Sequence, residues 1–337
     1  MPDTLVHSRS SKSMRDSTQA YQPRVGVIVL HWNKIAETRL CIQSLSNLHY
    51  QNLRIFLIDN GSDIDLESLV GEEFSNIRVI RSNENIGFAG GCNIGISASI
   101  EDGCEFVWLL NNDTTVDSSA LGYLVEKAEA VKPAGIIGST ILEKDNRNIV
   151  NHMGGRIYPY LGLCVHLGKG SQYVSAPKES DINPSYVTGC SMLARVKMIQ
   201  EVGLLDEGYF LYWEDADWCV RAQRMGWKIA IAYESEVYHE GSSSLGSASP
   251  LKGYYLARNS LRFVYKLYPW LSPLALVWWP RRYFLNHVLR GRFQHARMAF
   301  RGLIDVLLQR VLIPEGSQCG IRRSKKTKSA FDRTQRN

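Results

Sequence analysis

No stretch of the 337 residues is both apolar and long enough to cross a bilayer. The best candidate, between Tyr268 and Pro280, is an apolar run of only ~10 residues, half of what a spanning helix needs. The seven cysteines are odd in number and form no C-x-x-C pair, which excludes a disulfide framework and a zinc cluster and makes a reducing cytoplasm the expected compartment. Neither G-x-G-x-x-G nor G-x-x-x-x-G-K-[ST] occurs, so the chain is not read as a dehydrogenase or a P-loop enzyme. The first 23 residues lack the apolar centre of a signal peptide and read as a disordered leader. Acid is scarce at the other end. Residues 250–315 hold 2 Asp/Glu against 11 Lys/Arg and residues 321–337 hold 1 against 7, behind a body of net charge −9 over residues 1–249. Such a basic end suits a surface that meets phosphates. No nucleic-acid-binding signature accompanies it, so no nucleic acid is expected as a partner.

What is present begins with short apolar runs. VGVIVL (residues 25–30) reads as a strand of the kind buried on both faces of a parallel sheet, and LRIFLI (53–58), a third run at 77–80 and FVWLL (106–110) read as further strands. A helix over 38–48 and others between the later runs give an alternating α/β pattern. Ligands of such sheets sit at the carboxyl ends of the strands. That is where Asp59-Asn60-Gly61-Ser62 and Asn111-Asn112-Asp113 fall.

Later in the chain, FLYWEDADWCVR (210–221) sets Glu214, Asp215 and Asp217 among Phe210, Tyr212, Trp213 and Trp218 at the start of a predicted helix over 216–225. Acidic groups there complement the helix N-terminus, and Asp217 is spaced to pair with Arg221 at i, i+4. The aromatic rings either wall a sugar cleft or belong to the core, and core is the reading for Trp218.

Taken in order, V-x-V-x-x-x-x-W-N (25–33), IDNGS (58–62), NENIGFAGGCNIG (83–95), LLNND (109–113), GCSMLAR (189–195), WEDADWCVR (213–221) and VYHEG (237–241) resemble the family 2 inverting glycosyltransferases, and more narrowly their rhamnosyltransferase-like branch. The resemblance covers about residues 24–270. It implies an α/β GT-A fold, a Rossmann-like mixed sheet flanked by helices, with a nucleotide-sugar donor and usually a divalent cation, Mg²⁺ or Mn²⁺. By the same resemblance Asp215 is the general base that takes the acceptor hydroxyl proton, with Glu214 supporting it or touching the acceptor. The family's D-x-D stands here as Asn111-Asn112-Asp113, which leaves Asp113 with His239 to hold the cation alongside substrate phosphate oxygens and water. Asp59 would meet the nucleotide base or ribose, with Asn33, Asn60, Asn85, Gly87, Asn93 and Asn112 near the donor. Asn93 could equally cap a helix. A Gly-Ser loop over 241–246 could close over the donor. Cys92 departs from the basic residue that many members carry in this segment.

The expected function is transfer of a sugar, L-rhamnose from a dTDP donor in the first instance, to a glycan or polyprenyl-linked acceptor in cell-surface polysaccharide assembly. UDP-galactofuranose or another UDP-hexose is the alternative donor, and a non-catalytic nucleotide-sugar or glycan-binding module is the alternative function. The expected organisation is a leader (1–23), a GT-A domain (24–250), a helical extension (251–315) and a basic disordered tail (316–337). Its Trp- and Arg-rich helices and basic tail suggest peripheral attachment to an anionic membrane, the inner face of the plasma membrane.

Overall fold

In the computed structural model, residues 21–63, 66, 77–174, 184–240, 249–312 and 321–323 are described. The leader, the 241–246 loop and nearly all of the basic tail lie outside them. Four parallel strands form one half of a nine-stranded sheet: β1 (Val25–His31), β2 (Leu53–Asn60), β3 (Ile77–Ser82) and β4 (Phe106–Asn111). The other strands of the sheet are β5 (Thr114–Val116), β6 (Ala134–Glu143), β7 (Val150–His152), β10 (Ser191–Arg195) and β11 (Lys228–His239), while β8 (Gly155–Tyr158) and β9 (Leu163–His166) make a separate hairpin. The sheet order is β3-β2-β1-β4-β10-β6-β11-β5, with β7 beside β6. Strand β10 runs antiparallel between β4 and β6, so the sheet is mixed.

The runs that form β1, β2 and β4 are strands because they are apolar on both sides, whereas β3 is the edge strand, with Arg78 and Arg81 exposed. Val25, Val27 and Val29 pack into one core with Trp108 and Leu110, while Ile28, on the other face, packs with Phe56 and Leu109. Parallel register then brings the strand ends together. His31 pairs with Asp59 and Leu30 with Asn111, so both polar clusters lie on one edge. The glycine-rich NIGFAGGCNIG segment is largely helix, α2 (Gly87–Glu101), which follows α1 (Ile35–Ser46). A methyl group on Gly95 would come within 2.6 Å of Ile28, so its absence lets α2 lie close against β1.

Helices α3 (Ala120–Ala130) and α4 (Val196–Val202) precede α5 (Glu214–Arg224), and the long α6 (Pro250–Leu267) follows β11. Ser249 caps α6 by accepting from the Leu251 amide at 3.3 Å, with Pro250 in the first turn. Helix α6 buries Tyr254, Tyr255, Arg258, Asn259 and Phe263 completely. Beyond it, α7 (Ser272–Trp279) and α9 (Phe293–Leu307) pack back on α6, and the π-helical turn (Pro280–Leu285) and α8 (Asn286–Leu289) between them pack on α9. Among the described residues no helix is long and apolar enough to cross a membrane.

Candidate active site

The 210–213 segment that precedes α5 is backbone under strain. Phe210, Tyr212 and Trp213 have φ of 65°, 68° and 79°, a region L-residues avoid at about 1–3 kcal/mol each. The resulting turn throws Glu214 and Asp215 to the head of α5, on the wall of a cavity of about 470 Å³. Phe210, Tyr212 and Trp213 line that cavity, whereas Trp218 is core, fully buried with its indole N–H donating to the Gly203 carbonyl at 2.8 Å. Strain of this kind persists only where surroundings fix it. Here Gly87 (φ 82°) meets Phe210 so closely that a Cβ would lie 2.5 Å from the Phe210 carbonyl oxygen, which accepts from the Phe88 amide at 2.7 Å.

The three carboxylates have three different surroundings. Asp215 is partly buried, and its oxygens accept from the Gly189 amide at 3.1 Å and the Ala216 amide at 2.7 Å. Burial pushes its carboxyl up, against those N–H groups and the Thr188 hydroxyl, which favour the anion. Glu214 is 4% exposed, its Oε2 has no hydrogen-bond partner, and burial together with the Asp215 charge drives it well above the usual carboxylate range. Burial and the nearness of the two groups thus work against both being ionised together, and Asp215, held by two backbone N–H groups, is the better supported as the anion. Asp217 points the other way. Fully buried, it takes Arg221 Nε at 2.6 Å, Lys266 Nζ at 2.6 Å and the Tyr209 hydroxyl at 3.2 Å. Its i, i+4 pair with Arg221 is formed as expected.

Across the cavity, Asp113 Oδ1 is buried without a hydrogen-bond partner and lies 3.2 Å from His239 Nε2, where the end of β11 runs beside β5. Two such atoms facing one cavity suit a hard cation whose remaining ligands come from phosphate and water. Among the described residues no cluster of three or more His, Cys, Asp or Glu could hold a metal unaided. Asn112 is buried and donates to Thr38 Oγ1 at 2.9 Å. Asn60, from the end of β2, donates to Asn85 Oδ1 and to the Gly87 carbonyl, both at 3.1 Å, and so shapes the loop entering α2.

Asn60, Asn85, Gly87, Asn112, Asp113, Glu214, Asp215 and His239 all line the cavity; Asn33, Asp59 and Asn93 are not on its wall. Asn33 joins strand ends, its amide donating to Ser62 Oγ at 3.1 Å and its Oδ1 accepting from Asp63 at 3.1 Å. Asp59 is 1% exposed and accepts from the Ser62 amide at 2.9 Å. Asn93 needs correction on its cap reading. It lies inside α2 rather than at its cap, and its carboxamide is engaged by both Leu205 backbone groups at 3.0–3.1 Å and by Glu207 Oε1 at 3.1 Å.

Sequence reasoning missed a second wall. His166, Lys169 and Tyr186 from the β8–β9 region, Lys252 from α6, and Arg282 and Tyr283 from the π-helical turn also line the cavity. The buried Tyr186 hydroxyl has no partner there. No local motif marks these residues, because chain segments about 30 to 115 residues apart converge on them.

Residues 26–203 match the family described as Glycosyl transferase family 2. The N-acetylglucosaminyl-diphospho-decaprenol L-rhamnosyltransferase of Mycobacterium tuberculosis is 25% identical over 230 residues, 61% of this chain and 72% of that protein. The dTDP-rhamnosyl transferase RfbF of Shigella flexneri is 22% identical over 237 residues, 66% of this chain and 74% of the relative. Among solved structures, a mannosyltransferase from Pyrobaculum calidifontis in complex with GDP-Man and Mn²⁺ superposes with a TM-score of 0.54 at 13% identity, covering 86% of this chain and 88% of that one, a likeness of fold. The mixed sheet, its polar edge and a family match spanning more than half of the residues agree: the fold is GT-A, and the chain belongs to glycosyltransferase family 2.

Proposed function

We propose that the protein transfers L-rhamnose from dTDP-rhamnose, with inversion, to a polyprenyl-linked glycan acceptor in cell-surface polysaccharide assembly. The observation that carries the reading is Asp215, ionisable, held by two backbone N–H groups and opening onto the same cavity as Asp113 and His239. The Asp215 carboxylate accepts the proton of the acceptor hydroxyl as its oxygen attacks the anomeric carbon. The bond from that carbon to the diphosphate oxygen breaks on the opposite face, which inverts the centre. Protonated Glu214 donates a hydrogen bond to the bound acceptor, and the rings of Phe210, Tyr212 and Trp213 exclude water. Asp113 and His239 would hold a divalent cation, which neutralises charge on the departing diphosphate. The mannosyltransferase neighbour holds Mn²⁺ in its complex, which supports that role.

The choice of sugar is supported by the two rhamnosyltransferase relatives, and that of a lipid-linked acceptor by the decaprenol-linked substrate in the name of one of them. The extension supports a membrane partner. Trp270, Val277, Leu289 and Phe293 are 68–83% exposed, beside Arg281, Arg290 and Arg292. Exposed apolar side chains interspersed in sequence with arginines suit an anionic bilayer surface. Placed on the cytoplasmic face, the extension would put the cavity beside its lipid-linked acceptor, because Arg282 and Tyr283 of the same helical segment line the cavity. The test is a panel of nucleotide-sugars: dTDP-rhamnose should bind and support transfer, with UDP-galactofuranose and UDP-hexoses weaker. Preferred use of a UDP-sugar would overturn the donor assignment, and donor binding without transfer to any acceptor would favour a binding module.

A further inference from the structure

The turn that delivers Asp215 is held from outside the family match, by one face of α6. Tyr255 stacks on Phe210 with ring centroids 5.3 Å apart and an interplanar angle of 11°, and Phe263 packs on Trp213 at 5.0 Å. Arg262 and Lys266 bind Asp206 at 2.9 and 2.8 Å, at the start of the same segment. Between these contacts sits Asn259, fully buried, whose Nδ2 faces the carbonyls of Tyr209 at 2.9 Å, Leu211 at 2.7 Å and Tyr212 at 2.9 Å, its two hydrogens serving the three acceptors with one of them shared. Its Oδ1 accepts from Arg258 Nη1 at 2.6 Å, and the same nitrogen donates to the Gly208 carbonyl at 2.9 Å. Arg258 thereby fixes which way the amide faces, because with oxygen turned toward the turn, three carbonyls would face a fourth acceptor.

Neighbouring helices complete the brace. Tyr254 donates to Asp305 of α9 at 2.9 Å, and Gly302 of α9 lies so near that a Cβ would be 3.0 Å from the Tyr254 carbonyl oxygen and 3.2 Å from Arg258. The carbonyls that Asn259 gathers belong to residues in or flanking the positive-φ positions. Without a donor there, the Leu211 and Tyr212 carbonyls lose that partner, the Tyr209 carbonyl keeps only the Leu211 amide at 2.8 Å, and the turn is free to relax, which moves Asp215 and the aromatic wall together.

We propose that Asn259, oriented by Arg258, is a positioning residue for glycosyl transfer: it clamps the strained 209–213 turn and so sets where the Asp215 carboxylate stands. The role rests on the sugar-transfer reading above, but the clamp itself is measurable without it. Asn259→Asp keeps the shape and replaces the donor by an acceptor. The control is Val264→Ala, which removes buried volume from the same helix at a side chain that makes no hydrogen bond to the turn. Asn259→Asp should lower kcat more than tenfold with the donor dissociation constant within twofold of wild type. Hydrogen exchange at Phe88 and residues 209–213 should quicken, while Val264→Ala lowers Tm and leaves both kcat and that exchange unchanged. Should Asn259→Asp not fold, Arg258→Lys unties the amide oxygen while leaving Nδ2 on its carbonyls, and should show the same pattern at about threefold in kcat. Equal kcat in the Asn259 and Val264 variants, or unchanged exchange at 209–213, overturns the proposal. If the wild-type protein transfers no sugar, the functional reading falls, and exchange alone decides whether Asn259 is the clamp.

Discussion

Replacing Gly87 by alanine perturbs the site through a single methyl group. The residue has φ 82°, where an L-side chain costs about 1–2 kcal/mol. The added Cβ would lie 2.5 Å from the Phe210 carbonyl oxygen and 2.7 Å from its ring, both closer than any real contact. Relief requires the backbone of the turn to move, and overpacking of this kind costs about 1–3 kcal/mol. Together these give roughly 2–5 kcal/mol, a fall in Tm on the order of 3–7 °C for a chain of this size. The same shift weakens the Phe88 to Phe210 hydrogen bond and displaces the turn that carries Asp215, so the transfer rate should fall at least tenfold, on the order of what misplaced catalytic groups cost. Gly122→Ala is the comparison. Gly122 lies in helix α3 with nothing within 4 Å of the added methyl, and should be neutral or stabilised by up to ~1 kcal/mol. Calorimetry and transfer rates on the two proteins check this. A Gly87→Ala protein that melts with Gly122→Ala and turns over at the wild-type rate would refute the close approach of Gly87 to the turn.

Asp217→Asn should behave as a structural variant: removing a buried carboxylate that holds Arg221 and Lys266 should cost about 3–5 kcal/mol in thermal or denaturant unfolding, with the rate per folded molecule largely kept. With Asp113 and His239 as the only protein ligands expected, titration calorimetry should find weak Mg²⁺ or Mn²⁺ binding to the free protein and much tighter binding once nucleotide diphosphate is present; full activity in EDTA would remove the cation from the account. Vesicles containing anionic lipid should pellet the protein at low salt and less so at high salt, and Leu289→Glu with Phe293→Glu should weaken pelleting further; equal binding to neutral vesicles would leave the arginines without a role.

The parallel half of the sheet was legible because each strand is a short apolar run and the polar residues that follow β2 and β4 mark one edge. The reading stopped where pattern stops carrying information. Strand β11 runs unbroken from Lys228 to His239, because a bulge at residues 233–235 against β6 absorbs the polar Glu234-Ser235. The glycine-rich segment gave no helical period, because its glycines record contact with β1 and with Phe210 rather than amphipathicity. Asp215 was singled out by its place in an ordered series of motifs. Asn259 was not, since its partners are backbone carbonyls 47–50 residues away and carry no side-chain signature.

The central claim, that Asp215 is the base, is tested most directly by Asp215→Asn, measured for transfer rate, donor binding and Tm at neutral pH. Burial raises the Asp215 carboxyl, so the ionised group opposes folding at pH values above its folded-state pKa, and that opposition fades as pH falls toward the ordinary carboxylate value. A neutral amide relieves it. The account therefore predicts a rate lower by about 10²-fold or more, unchanged donor binding, and a Tm at neutral pH equal to or above that of the wild type. In the wild type, the acid limb of the rate profile should lie above the ordinary carboxylate range. Transfer retained within a few-fold by Asp215→Asn, together with a lowered Tm, would contradict the account and return this carboxylate to the role of a helix cap.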